Sequence, residues 1–330
     1  MKKICIYGLG AIGGLIGARL AASGHDVSAI ARGETLEAVA KDGLVLSDAK
    51  GERRVAIRAT DDPDSLGAQD LVILSVKTTA LPAVAARIQP LIGENTTVLS
   101  AMNGIPWWFL HGLDRAPPSL CLSSVDPAGA LSAAIPARRV LGCVTHLSAA
   151  VTAPGRVRHV AGNQLIIGEP AGGASSARAT AVIGMLERAA FDVERASSIQ
   201  QDIWFKLWGN MTMNPVSFLT SATGDRILDD DFVRGFMSRC MVEAGLIGER
   251  IGLSIRSDPE ERHAVTRKLG AFKTSMLQDL EACKPVELDA LVGVVTEMGR
   301  QLGVDTPNLE ALFGLARLKA RGLRLYPEAH

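Results

Sequence analysis

The segment Lys3–Gly13 reads KICIYGLGAIG, and it decides the fold of the first half of the chain. Lys3–Tyr7 is a short run of the residues that favour strands, and residues 11–23 carry small apolar side chains at helical spacing. A GxGxxG pattern that follows a strand and opens a helix predicts a dinucleotide-binding loop. Its first glycine permits the tight turn, the second lets the backbone approach a pyrophosphate, and the third lets helix and strand pack closely. The predicted cofactor-binding residues of this loop are Gly8, Leu9, Gly10, Ala11, Ile12 and Gly13.

Strand and helix patterns continue to alternate after this loop, which predicts an α/β class with a Rossmann-like doubly wound sheet. Two alternating stretches, 139–148 and 156–168, predict antiparallel strands added to that sheet. The other predicted elements of the first half are strands at 26–30, 70–76, 97–100 and 191–195, and helices at 34–41 and 176–190.

The pattern becomes almost entirely helical after residue 197. We therefore predict an NADP-binding domain over 1–197 and an all-α substrate and catalytic domain over 198–330. Residues 111–139 contain four prolines and predict an irregular insertion. The predicted helices of the second domain are 199–221, 230–252, 258–281, 285–303 and 308–321.

Composition excludes several classes of protein. The 330 residues include 35 Lys or Arg and 35 Asp or Glu, so the formal net charge is zero. This balance does not favour binding to nucleic acid or to a membrane surface. The five cysteines are scattered and form no CxxC pair, which argues against a metal site and favours a reducing cytoplasm. Glycines and Arg19 interrupt the apolar N-terminal stretch, so a secretory signal or a membrane span is not expected.

The end of the second predicted strand bears on cofactor choice. A site for NAD usually places an acid there, whereas this chain has Arg32. A guanidinium can bind a 2′-phosphate with two hydrogen bonds, which predicts a preference for NADPH over NADH. The alternative is a solvated arginine, and Glu34 nearby would blunt the preference.

A polar stripe marks the helix predicted around Ile203–Leu219, which reads IWFKLWGNMTMNPVSFL. Lys206, Asn210 and Asn214 are four residues apart and share one face, while most of the remaining residues are apolar. A lysine and two amides on a buried helix must face something polar, and a ligand cleft between the two domains is the economical explanation. The alternatives are structural amides, one of them serving the backbone group freed by Pro215, and a snorkelling lysine.

Several motifs in collinear order resemble those of the ketopantoate reductases (2-dehydropantoate 2-reductases). The resemblance covers most of the chain. The matching elements are GLGAIGG at 8–14, Ser75-Val76-Lys77, Asn103-Gly104, Lys206 with Asn210 and Asn214, Ser275-Met276-Leu277-Gln278-Asp279, and Glu287.

The resemblance implies a role for each matching side chain. It implies that Lys206 is the general acid, that Asn103 lies near both nicotinamide and substrate, and that Lys77 lies beside the cofactor. The residues implied to bind substrate are Asn103, Asn210, Asn214, Ser275 and Glu287. Two of these have a structural alternative: Ser275 could belong to a capping box, and Glu287 could favour the first turn of a helix.

Together these observations predict an NADPH-dependent reductase of a 2-keto acid, most simply ketopantoate to pantoate in pantothenate synthesis. One alternative is a paralogue acting on another branched 2-keto or 2-hydroxy acid, and another is a non-catalytic NADP-binding sensor. The expected partner is a small anionic keto acid. A homodimer is one assembly compatible with the sequence. Neither nucleic acid nor a membrane is expected, because the net charge is zero. A metal is not expected, because the histidines show no ligand spacing.

Overall fold

The structure is a computed structural model that describes residues 1–328, in which the chain forms two compact units. The first unit contains residues 1–102 and 130–202, and the second contains 103–129 and the chain from 203 onward. Each unit has its own candidate binding residues, and we describe them separately.

The first unit is built on a ten-stranded sheet, within the described residues. Along one edge-to-edge path the strands run in the order β4-β3-β9-β8-β7-β6-β1-β2-β5, and β10 pairs with β9. The strands are β1 (Lys3–Tyr7), β2 (Asp26–Ile30), β3 (Leu44–Asp48), β4 (Gly51–Val55), β5 (Arg58–Thr60), β6 (Gln69–Leu74), β7 (Ile92–Ser100), β8 (Val140–Ala153), β9 (Arg156–Gly168) and β10 (Asp192–Arg195). The helices are α1 (Ala11–Ala22), α2 (Gly33–Asp42), α3 (Leu81–Arg87), α4 (Ala130–Ala134) and α5 (Ala177–Arg188).

Strand β1 lies at the centre of the parallel part of this sheet. It pairs in parallel with β2 on one side and β6 on the other, so the chain order reverses at β1. In open α/β sheets the carboxyl ends of the strands at such a switch point form a ligand crevice. The predicted glycine loop follows β1 directly and therefore lies at this point.

The antiparallel addition is present as predicted. β8 and β9 pair antiparallel, with Gly142 opposite Gly168 and Val144 opposite Ile166, and β8 joins the parallel part through β7. The hairpin of β3 and β4, which sequence patterns did not predict, extends the same sheet because β3 pairs with β9. The predicted α/β class with a helical second part is confirmed.

The second unit is helical. Its helices are α6 (Ile199–Thr220, of which residues from 203 belong here), α7 (Gly224–Asp229), α8 (Asp231–Ile251), α9 (Pro259–Arg267), α10 (Ser275–Glu281), α11 (Val294–Leu302) and α12 (Pro307–Gly322). A π-helical segment, Asp289–Gly293, leads into α11. None of the helices in residues 1–328 is long and apolar enough to cross a membrane.

The helix predicted over 258–281 is wrong, because two helices occupy that range. Gly270 has a φ of +66°, which a right-handed helix does not allow, and the backbone is irregular until α10. The hydroxyl of Thr274 then accepts a hydrogen bond from the Leu277 N–H at 3.2 Å and starts α10.

The compact units divide the chain differently from the predicted boundary at 197, whereas the domain call itself stays a prediction. Residues 103–129, which the sequence placed in the first domain, pack with the second unit, and the later division falls after residue 202. The Glu297 carboxylate accepts hydrogen bonds from the backbone N–H groups of Ser123 and Ser124 at 2.8 and 2.9 Å. This single side chain satisfies donors that an irregular segment cannot satisfy by itself.

Candidate active site

The glycine loop of the first unit has the geometry of a phosphate-binding turn. Gly8 has a φ of +103°, and a Cβ on Gly13 would lie 2.1 Å from the Gly8 carbonyl oxygen. A Cβ on Gly10, in contrast, would meet no atom within 4 Å. The first and third glycines are therefore required by the protein's own packing, whereas Gly10 faces open space that a pyrophosphate could enter.

The N-terminus of α1 is suited to an anion. Gly10 is the N-cap and provides no side-chain acceptor, and the first turn contains no acidic residue. The early N–H groups of a helix carry partial positive charge and need acceptors. A bound phosphate would supply them.

A cavity of about 300 Å³ lies at the carboxyl ends of β1, β2 and β6, and it brings Arg32 close to the glycine loop. Its lining includes Gly8, Leu9 and Val76, and also Arg87 from the end of α3, which the sequence analysis did not single out. Burial raises the pKa of the Tyr7 phenol in this lining, and the positive charges of Arg87 and Arg32 oppose that rise. Lys77 follows Val76 as the residue before a short 3₁₀ turn.

These residues fit a nicotinamide dinucleotide. The loop and the N-terminus of α1 would hold the pyrophosphate, and Arg32 and Arg87 supply positive charge to the cavity.

In the second unit, Lys206 on α6 donates a hydrogen bond from Nζ to Oδ1 of Asn103 at 2.8 Å. The two residues are 103 positions apart in the chain, and both side chains are half-buried. Asn103 thus holds the Lys206 ammonium through a neutral acceptor.

The turn that carries Asn103 is fixed by the π-helical segment. Ile105 N–H donates to the Ala290 carbonyl oxygen at 2.9 Å, and Gly104 lies against the same peptide with a φ of +79°. A Cβ on Gly104 would be 2.6 Å from the Ala290 oxygen. π-Bulges are frequent at functional sites, and here one supplies a carbonyl that anchors the turn.

Asn214 and Ser275 also come together. Nδ2 of Asn214, which is only 6% exposed, donates to the Ser275 hydroxyl at 3.4 Å. Ser275 is the first residue of α10, and its neighbour Thr274 is the N-cap, so the capping-box alternative for Ser275 is wrong. Asn210 is half-buried one turn before Asn214. Glu287 is half-buried and directly precedes Leu288, the N-cap of the π-helical segment.

The apolar body of α6 is buried as predicted, with one exception. Trp204 is 1% exposed and Trp208 3% exposed, and the Trp208 indole N–H donates to the Met241 carbonyl at 2.6 Å. Phe205 is 41% exposed and lies beneath the guanidinium of Arg262, whose carbon is 5.5 Å from the ring centroid. Arg262 has no motif around it, and the sequence analysis missed it.

The predicted site residues thus fall into two groups, one in each unit. The first unit contains the loop, Arg32 and Lys77. The second contains Asn103, Lys206, Asn210, Asn214, Ser275 and Glu287, and direct hydrogen bonds join two pairs of these. Residues 1–328 contain no cluster of three or more His, Cys, Asp or Glu side chains suited to a metal ion.

A nucleotide-binding α/β unit and a helical unit carrying a half-buried lysine define the class of two-domain oxidoreductases. Residues 4–172 match the family model described as ketopantoate reductase PanE/ApbA, and residues 198–320 match the model of its C-terminal part. The chain belongs to the ketopantoate reductase family.

Individual relatives agree with this assignment. The chain is 40% identical to the 2-dehydropantoate 2-reductase of Mesorhizobium japonicum over 96% of this chain and 97% of that one. It is also similar to a crystal structure of a provisionally assigned ketopantoate reductase from Ralstonia solanacearum MolK2, with 51% identity, a TM-score of 0.93, and coverage of 99% and 100%. D-Mandelate dehydrogenase, crystallised with NADH and anilino(oxo)acetate, shares the fold at a TM-score of 0.84 and 21% identity, over 98% of this chain and 99% of that one. The fold alone therefore does not determine the acid.

Proposed function

We propose that this protein reduces 2-dehydropantoate to pantoate with NADPH, a step of pantothenate biosynthesis. The observation that carries the proposal is the 2.8 Å hydrogen bond that holds the Lys206 ammonium on the Asn103 amide. Support for the substrate comes from the relative that is 40% identical over nearly the whole chain and is named for this reaction.

The proposed chemistry assigns proton transfer to Lys206. The bound nicotinamide supplies the hydride that reaches the ketone carbon. Negative charge then builds on the ketone oxygen, where the Lys206 ammonium donates a hydrogen bond and delivers its proton. Asn103 fixes the direction of the lysine side chain before the substrate arrives.

The other polar side chains of the second unit would orient the substrate. Asn210, Asn214 and Ser275 offer amide and hydroxyl donors to its oxygens, and the hydrogen bond between Asn214 and Ser275 sets their spacing. Glu287 offers an acceptor for the hydroxyl group of 2-dehydropantoate. Such positioning lowers the entropic part of the barrier.

The choice of NADPH over NADH rests on charge. Arg32 lines the nucleotide cavity at the end of β2, where a site for NAD usually has an acid, and Arg87 adds a second guanidinium. A 2′-phosphate would be bound by such groups more tightly than a ribose hydroxyl. The expected cytoplasmic location and the homodimer stay predictions.

The alternatives differ in what they would reduce. A paralogue would use the same lysine on another keto acid, whereas a sensor would bind the nucleotide and reduce nothing. The hydrogen-bonded Lys206 and the pair of Asn214 and Ser275 support an enzyme, because a sensor needs neither.

The test is NADPH oxidation by wild type, Lys206→Ala and the control Lys268→Ala against a panel of 2-keto acids. Lys268 is exposed at the end of α9. We expect 2-dehydropantoate to be the best substrate and Lys206→Ala to lower kcat about 100-fold or more, since general acids contribute ~10²–10⁴. The control should stay within about twofold, well below the general-acid range.

Three results would contradict the proposal. A higher kcat/KM on another acid would establish the paralogue. Nucleotide binding without turnover of any acid would establish the sensor. Full activity in Lys206→Ala would remove the lysine from the mechanism.

A further inference from the structure

The residues that follow α12 return to the segment that carries Glu287. Arg324, two residues after the end of α12, has a φ of +57°, a left-handed conformation that turns the chain out of the helix. Leu325 is buried, and its N–H donates to the Ala320 carbonyl oxygen at 2.8 Å. Its own carbonyl oxygen accepts a hydrogen bond from the Val286 N–H at 3.0 Å. We call Leu325 and Tyr326 together the C-terminal strap.

Tyr326 makes the second contact of the strap with the same segment. Its hydroxyl donates to Oδ1 of Asp289, the first residue of the π-helical segment, at 2.5 Å. The guanidinium carbon of Arg321 lies 5.6 Å from the centroid of the tyrosine ring, and Arg321 Nε donates to the Pro327 carbonyl oxygen at 3.0 Å. Contacts from α12 therefore hold the ring while its hydroxyl bonds to the π-helical segment.

The phenol is the donor of this hydrogen bond. Burial raises the pKa of Tyr326, and the hydrogen bond and the negative charge of Asp289 raise it further, against the positive charges of Arg317 and Arg321. The phenol therefore keeps its proton at neutral pH. A hydrogen bond to a carboxylate is stronger than one between two neutral groups.

The two contacts of the strap lie on either side of Glu287. Val286 directly precedes Glu287, and Asp289 follows it by two residues. Val286 and Leu288, the two neighbours of Glu287, are both fully buried, whereas Glu287 itself is half-buried. The backbone that carries Glu287 is thus fixed on both sides.

The strap also lies one residue from the anchor of the Asn103 turn. Asp289 directly precedes Ala290, whose carbonyl oxygen accepts from the Ile105 N–H at 2.9 Å. That bond fixes the turn, and Asn103 Oδ1 in turn accepts from Lys206 Nζ at 2.8 Å. One tyrosine hydroxyl therefore supports the segment on which both the proposed substrate acceptor and the orientation of the proposed acid depend.

We propose that Tyr326 is a positioning residue that, through Asp289, holds Glu287 and the Asn103 turn in the geometry required for reduction. This inference rests on the proposed function and adds a residue that acts through the π-helical segment. Misplacement of supporting groups by about 1 Å can cost about 10²-fold in rate, so one hydrogen bond at this position can affect turnover.

The experiment compares wild type with Tyr326→Phe, Asp289→Asn and the control Ser238→Ala. The Ser238 hydroxyl on α8 lies 3.1 Å from Nε2 of His263 and donates to Glu260 at 3.3 Å, so the control also loses hydroxyl hydrogen bonds in the second unit. Asp289→Asn retains an oxygen that accepts from the phenol.

The first measurement is hydrogen exchange at the amides of Val286 and Ile105. We expect exchange at both amides to be about tenfold faster in Tyr326→Phe, in line with the loss of a hydrogen bond to a charged group. In Asp289→Asn and Ser238→Ala the exchange rates of these amides should stay within about threefold of wild type, because neither change removes the phenol donor.

The second measurement is steady-state reduction of 2-dehydropantoate. The kcat of Tyr326→Phe should fall about tenfold while its KM for NADPH stays within about twofold, because the strap contacts the second unit only. Asp289→Asn should recover most of this kcat, and Ser238→Ala should match wild type. A merely structural role would lower Tm without this separation of kcat from KM for NADPH.

Unchanged exchange at both amides in Tyr326→Phe would overturn the proposal, as would faster exchange with an unaltered kcat, or an equal loss of kcat in Ser238→Ala. Exchange needs no substrate, so it separates this failure from failure of the proposed function. If wild type reduces no 2-keto acid while Tyr326→Phe alone releases both amides, the proposed reaction fails and the positioning of residues 286–290 by Tyr326 stands. If wild type is active and Tyr326→Phe changes neither amide, the proposed reaction stands and the role of Tyr326 is refuted.

Discussion

Replacing Gly104 by alanine tests whether the Asn103 turn positions the proposed acid. The substitution meets two costs. A φ of +79° costs an L-residue about 1–2 kcal/mol. The new Cβ would also lie 2.6 Å from the Ala290 oxygen and 2.9 Å from its carbonyl carbon, a backbone clash of the kind that costs about 1–3 kcal/mol to relieve. The free energy of unfolding should therefore fall by about 2–5 kcal/mol.

Gly303→Ala is the matched control for this variant. Gly303 has a similar φ of +66° and ends α11, but a Cβ there would meet no atom within 4 Å. It therefore carries the conformational cost alone, about 1–2 kcal/mol. The difference in Tm between the two variants, measured by scanning fluorimetry, reports the contact with Ala290.

The activity of the two variants should also differ. A shift of the turn by about 1 Å moves the Asn103 oxygen from the Lys206 ammonium, and misplacement on that scale can cost about 10²-fold in rate. We expect kcat of Gly104→Ala to fall at least tenfold at a temperature where it is folded, and kcat of Gly303→Ala to be unchanged. Equal loss of stability in both variants with full activity in Gly104→Ala would refute the reasoning.

Two further predictions concern charge. Arg32→Ala should raise KM for NADPH about tenfold or more while changing KM for NADH by less than twofold, because a charged hydrogen-bonded contact to the 2′-phosphate is lost; equal changes in steady-state assays would remove the assignment. Burial and the charge of Glu194 raise the pKa of Asp202 from 3.8 to about 6. The folded state therefore binds the proton more tightly than the unfolded chain, and this residue lowers stability as pH rises from about 4 to about 6. The full shift corresponds to ~3 kcal/mol, which partial exposure reduces to about 1 kcal/mol. We expect the free energy of unfolding of Asp202→Asn, measured in urea, to rise relative to wild type by about 1 kcal/mol between pH 4 and pH 8. A pH-independent difference between the two proteins would contradict the assignment.

Local sequence was sufficient to predict the parts of the fold that depend on neighbouring residues. The glycine loop is one such case, because a strand, a tight turn and a helix N-terminus lie within eleven consecutive residues. The polar stripe is another, since the four-residue spacing of Lys206, Asn210 and Asn214 fixes their common face once the helix exists.

The errors arose where distant residues decide the structure. The β3–β4 hairpin joins the sheet through β9, more than a hundred residues later in the chain. Residues 123 and 124 belong to the second unit because of a carboxylate more than 170 positions away. No pattern within a local window carries such information.

Arg262 shows the same limit in the helical second unit. In sequence it follows two glutamates on a helix, which reads as a solvated surface with local ion pairs. The fold instead gives one glutamate to the helix cap and the other to Arg234, and Gly209 admits the guanidinium to α6. Only the packing of α9 on α6 distinguishes an exposed surface arginine from the packed Arg262.

Lys206 and Arg262, two cationic side chains associated with α6, have different hydrogen-bond partners. Lys206 donates a hydrogen bond to the amide oxygen of Asn103, which orients the ammonium. Arg262 donates to the Thr266 hydroxyl, and a guanidinium does not give up its proton, so it cannot act as the acid. Of the two, Lys206 is therefore the side chain suited to the proposed proton donation.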